Sequence, residues 1–106
     1  MAWFVLFVSG VLETVWAAAL GESKGFTRVP PSIVFGISLV LSMAGLGYAL
    51  RTIPIGTGYA VWVGIGAVGT AIGGMVLLDE PVSVARIGLL IVLVASILGL
   101  KLTAPV

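Results

Sequence analysis

Residues 2–20 read AWFVLFVSGVLETVWAAAL, an apolar run broken by one ionisable side chain, Glu13. About 20 helical residues cross the hydrocarbon core of a bilayer, so this run is long enough to span. The rest of the chain has the same character. Of its 106 residues 60% are hydrophobic and 8% charged, whereas soluble domains carry roughly a quarter charged residues. A soluble globule this small keeps too much surface per unit volume to hide that apolar content. Lipid is therefore the expected solvent. The opening MAWFVLFVSG lacks the basic residues of a signal peptide and its apolar run continues. It reads as a retained first span, with Trp3 as an interfacial anchor.

Working outward, three more runs of similar length follow. The expected spans are about 2–20, 32–50, 56–78 and 84–102. GESKGFTRVPP separates the first two, RTIPIG the next two, with Pro54 and Gly56 as turn punctuation, and DEPVS, with Pro81, the last two. The fourth run is expected to end at Lys101 and Pro105. Connections this short make neighbouring spans antiparallel. Only helices or closed barrels satisfy backbone polar groups in lipid, and runs without alternation fit helices. The expected fold is an all-α membrane protein, 1–106 forming a single four-helix transmembrane domain.

Several function classes drop out. The net charge is +1 with no basic run, which gives nucleic acid nothing to bind. There is no Cys and no His, so disulfides, thiol chemistry and the usual zinc sites are not expected. No cofactor, no metal and no enzyme activity is expected.

Four spans put Arg51 and Lys101 on one side, and Lys24, Arg28 and Arg86 on the other. Orientation follows the bias of Lys and Arg between sides, and here there is almost none. One reading is a weakly biased chain that inserts one way. The sharper one is dual topology, copies inserted both ways and paired antiparallel, which creates the pseudo-two-fold symmetry that larger transporters obtain from inverted repeats. One bundle of four helices encloses little, so an oligomer is expected over a working monomer. In the last helix Gly88, Ala95 and Gly99 recur on one face. Such small-residue faces let membrane helices pack closely, although Gly and Ala are also common in membrane helices at large.

An ionisable group deep in a membrane is a functional candidate by default. The eight other charged side chains lie at span ends or in connections, where they are solvated or snorkel. Glu13 is two thirds along its span with no cation at its depth. Gly10, Glu13 and Trp16 share a helical face, with Gly10 expected to leave space beside the carboxylate. In the third span Tyr59, Trp62, Gly66, Gly69 and Gly73 form one stripe. Its aromatics either shape a cation pocket or serve as interfacial packing. Ser42, mid-span in the second helix, either donates to the carboxylate or bonds its own i−4 carbonyl. Gly64 and Gly66 mark a point where the third helix can bend.

A buried carboxylate among aromatics suits a small organic cation, and the same group binds protons, so the two compete. A planar cation such as guanidinium gains paired hydrogen bonds to a carboxylate. A quaternary ammonium gains only charge and aromatic contact.

GVLETVW, GFTR, IPIGTGYAVWVGIGAVG and LLDEP, in this order and spacing, resemble the small multidrug resistance family over nearly the whole chain. Trp16 beside Glu13, Ser42 and the IGLL…GLKL end are similar to its guanidinium-exporting subtype. The resemblance implies an antiparallel dual-topology homodimer in a bacterial inner membrane. That dimer would exchange guanidinium for protons, the two Glu13 copies forming a shared site. By position it implies Trp16, Ser42, Tyr59 and Trp62 as the site lining, the fourth helix as the dimer contact and the third as the bending element. Export of quaternary ammonium or other lipophilic cations is the alternative. Gly21 stands where relatives commonly carry Lys, and Thr14 and Gly58 replace more usual aliphatic or Ala residues, a change expected to widen the site.

Overall fold

A computed structural model describes residues 1–103. Pro105, expected at the end of the fourth span, lies outside the described residues. The described residues form four helices: α1 (Ala2–Glu22), α2 (Val29–Ala49), α3 (Ile55–Leu77) and α4 (Val84–Thr103). All four are long and apolar enough to cross a membrane, and there is no strand among the described residues.

The helix ends show how local chemistry sets the boundaries. α2 starts at Val29, earlier than the run beginning at residue 32, because Pro30 and Pro31 sit inside its first turn. Proline is tolerated there, where the missing N–H has no intrahelical partner. α1 passes Gly21 and stops at Ser23, a fully buried residue. The Ser23 hydroxyl donates to the Leu20 carbonyl at 2.7 Å and accepts the Phe26 N–H at 3.2 Å. Lys24, Gly25 and Phe26 then turn through positive φ of 49°, 72° and 69°. This is a left-handed conformation that only glycine adopts at no steric cost, so the serine clasp holds two strained neighbours. After α3, Leu78 and Glu80 both donate N–H groups to the Gly74 carbonyl at 3.1 Å. The Glu80 carboxyl lies where a Cβ on Gly74 would be, 2.6 Å from its Cδ.

α1 is the centre of the bundle. α2 runs antiparallel to it, α3 lies parallel on its other flank, and α4 packs its backbone on α3 alone. The buried core gathers at the end holding the α2–α3 turn: Leu6, Leu46, Ala49, Ile53, Val61 and Trp62. Lys101 Nζ lies 5.2 Å from the centre of the Trp3 ring, so the start of α1 and the last turn of α4 lie at the same level of the bundle. The whole is a slab of 43 × 35 × 17 Å. α4 buries no residue at all.

Candidate functional site: an unpartnered carboxylate inside the bundle

Glycines decide how closely α1 and α3 approach. Glu13 lies against Gly66, where an added Cβ would overlap the carboxyl group itself. One turn below, a Cβ on Gly10 would come within 2.7 Å of Ile65 and 3.4 Å of the Trp62 carbonyl. The space at Gly10 therefore admits α3, and the space for the carboxylate is made by Gly66. One residue on, Thr14 presses on Gly69 and donates its hydroxyl to the Gly66 carbonyl at 3.3 Å. α3 is helical without a break through Gly64 and Gly66. Gly64 lets Ile97 of α4 come within 2.8 Å of where its Cβ would be.

Two polar side-chain atoms are buried without a hydrogen-bond partner among the described residues, Glu13 Oε1 and Trp16 Nε1. One is an acceptor and the other a donor, and they sit three residues apart on one face of α1. Buried polar groups are nearly always satisfied, and exceptions call for a reason. The Trp16 ring meets Phe35 edge-on at 5.9 Å, and Phe35 meets Phe26 at 5.4 Å. This aromatic row ties the carboxylate's surroundings to the strained turn after α1.

Ser42 is fully buried but does not donate to Glu13, nor to its own helix. Its hydroxyl donates to the Ser9 carbonyl at 2.7 Å and accepts the Trp62 indole N–H at 3.3 Å. The reason is register: α1 and α2 pair antiparallel with Ser9 opposite Ser42 and Trp16 opposite Phe35. That register sets Ser38, not Ser42, level with Glu13. Ser38 is buried and donates to the Val34 carbonyl. Trp62 is thus fixed one turn from the carboxylate. Tyr59 is 53% exposed and stacks on Trp62 with centres 5.7 Å apart, so a single chain does not bring its hydroxyl to Glu13. Gly58 packs on Leu50 and Ile53, away from the carboxylate. Gly88 and Gly99 have nothing near their Cβ positions, and with Ala95 they lie on the side of α4 opposite Ile97.

Ser9, Ser38, Phe35 and the contact of Gly66 with Glu13 were not singled out from sequence. Ser9 carried a signal: it is four residues before Glu13, on the same face. The others depend on helix register, which the sequence does not display. Beyond the carboxylate, a cavity of about 920 Å³ opens at the opposite end from the core, with Thr14 at its inner end. Glu22, Arg28 and Glu80 stand on its wall. Arg28 pairs with Glu22 at 3.7 Å and Arg86 with Glu80 at 3.4 Å.

Four membrane-length helices, with a carboxylate lacking a partner where α1 meets α3, define a small multi-pass membrane protein with an ionisable group inside a membrane-length helix. The chain belongs to the small multidrug resistance family: the profile described as Small Multidrug Resistance protein matches residues 1–94. Three relatives are each named Guanidinium exporter. That of Salmonella typhimurium is 51% identical over 104 residues, covering 98% of this chain and 99% of the relative. That of Citrobacter freundii is 52% identical over 103 residues, covering 97% and 98%. That of Yersinia pseudotuberculosis is 51% identical over 104 residues, covering 98% and 100%. The family makes this chain a membrane transport protein.

Proposed function

We propose that the protein exports guanidinium in exchange for protons, with Glu13 binding either one. The observation that carries this reading is the Glu13 Oε1 atom, a buried acceptor with no donor. Guanidinium is a planar cation made only of donors, and it pairs with a carboxylate through two parallel hydrogen bonds. A proton satisfies the same oxygen. The relatives named Guanidinium exporter, about half identical over essentially the whole chain, point to the same cargo.

The working unit is an antiparallel dual-topology homodimer in the bacterial inner membrane. A slab 17 Å thin, an α4 with no buried residue and nearly balanced Lys and Arg support it. A second, inverted copy brings a second Glu13 and the partner's aromatics to the open face, where Tyr59 joins Trp16, Trp62 and Ser42 as lining. Gly88, Ala95 and Gly99 form the α4 contact between copies. Alternating access follows from bending of α3 at Gly64 and Gly66, which exposes the shared site to one side at a time. Because proton and cation compete for the same carboxylates, export of one is coupled to entry of the other.

A substrate series on purified protein in proteoliposomes tests the cargo. Guanidinium and alkylguanidiniums are expected to move and tetraalkylammoniums not to. The reverse pattern would assign the protein to quaternary ammonium export.

A further inference from the structure

Trp3, Phe7, Val11 and Thr14 follow one another at four, four and three residues along one face of α1. They form one wall of a groove of about 480 Å³ whose other walls belong to α3 and α4. Thr14 and Lys101 are the polar residues on it. The Thr14 hydroxyl is committed to the Gly66 carbonyl, so the wall offers hydrocarbon along its length and one ammonium at its mouth. From Trp3 to Thr14 the groove runs about 16 Å along the helix axis. Half of a bilayer's hydrocarbon core is about 15 Å. The depth thus matches the chains of one leaflet, and the mouth falls at the membrane surface, where tryptophan and lysine both anchor.

Lys101 is held over Trp3 at 5.2 Å, and neither ion pair among the described residues involves it. We propose that the groove seats one acyl chain of an anionic phospholipid, with the headgroup phosphate on Lys101. Charge complementarity selects the headgroup and groove length selects the chain. α4 packs its backbone only on α3, so the lipid chain fills the gap between α4 and α1. A second copy of the protein packed on Gly88, Ala95 and Gly99 leaves the groove open, because that face lies about half a turn round α4 from Ile97.

Trp3 reports on the mouth of the groove. The full chain carrying Trp16→Phe and Trp62→Phe keeps Trp3 as its one tryptophan. In vesicles, its fluorescence is titrated with brominated phosphatidylglycerol or brominated phosphatidylcholine. The anionic lipid is expected to quench at about fivefold lower mole fraction, the preference that one lysine near the surface supplies. Lys101→Gln should merge the two curves. Val94→Phe, which fills the groove and keeps the lysine, should merge them as well. Equal quenching by both lipids in the parent protein overturns the proposal. So does a preference that survives Val94→Phe, which means charge attraction without a groove, and so does quenching by neither, which means the groove is covered by protein. Native mass spectrometry of the unsubstituted protein, with and without Lys101→Gln, reads the same preference without altering Trp16 or Trp62.

Discussion

Glu13 rests against the bare backbone of Gly66, so the carboxyl group occupies the place where any other residue would put its Cβ. Two glycines on this α1–α3 contact therefore behave differently. Gly66→Ala meets the far end of a flexible side chain, which can swing away. The fold is expected to survive with thermal stability in detergent nearly unchanged, while guanidinium affinity falls at least about tenfold because the carboxylate has lost its position. Equal affinity in Gly66→Ala would show that the contact with Gly66 does not set the site.

Gly10→Ala meets the Cβ and Cγ2 of Ile65 at 2.8 and 2.7 Å. A β-branched side chain has little freedom at χ1, so the helices must separate. Overpacking of this kind costs typically about 1–3 kcal/mol. Gly10→Ala should unfold earlier in thermal or denaturant titrations, the opposite ranking to Gly66→Ala.

Ser42 joins three helices through one hydroxyl. Ser42→Ala leaves the Trp62 indole N–H without its acceptor, and interhelical hydrogen bonds in membranes average about 0.6 kcal/mol with a maximum near 1.7. The expected loss of stability is about 1 kcal/mol. A change in Trp62 emission, read in a protein lacking Trp3 and Trp16, checks that the loss arises at this bond.

The proposed competition between proton and cation fixes the sign of the expected pH dependence. If Glu13 binds either one, lowering the pH should fill its carboxylates with protons, and the apparent Kd for guanidinium is expected to rise. Where one proton replaces one cation, linkage sets the limit at about tenfold per pH unit. Calorimetric titration at several pH values measures the slope. A flat profile contradicts the shared site.

The chain has no native cysteine, so single cysteines at Met1 or Thr103 can be labelled cleanly from either side of intact cells or spheroplasts. Dual topology predicts that each position reacts from both sides in comparable amounts. Labelling from one side alone contradicts the antiparallel dimer.

Much of the architecture was legible because lipid simplifies the problem. Backbone groups must be satisfied within helices, and spans must reach a fixed length. Glu13 stood out for the same reason, as the one charge inside an apolar run. The helix ends were less legible. Pro30 and Pro31 look like a break, yet they open α2, because proline breaks a helix interior and not its first turn. The neighbours of Glu13 were least legible. Ser42, level with Ser9 and not with Glu13, shows that spacing within one helix says nothing about the register between two. Tyr59 lies with Trp62 as the stripe suggested, but it is largely exposed, and its hydroxyl makes no hydrogen bond to Glu13 among the described residues.

The central claim is that Glu13 carries both guanidinium and protons. Purified protein reconstituted with a pH-sensitive dye inside the vesicles tests it directly. An outward guanidinium gradient should drive protons inward in the wild type, and Glu13→Gln, inserted in equal amount, should show neither proton uptake nor guanidinium release. Wild-type exchange by Glu13→Gln, or guanidinium release without proton uptake in the wild type, would contradict the account.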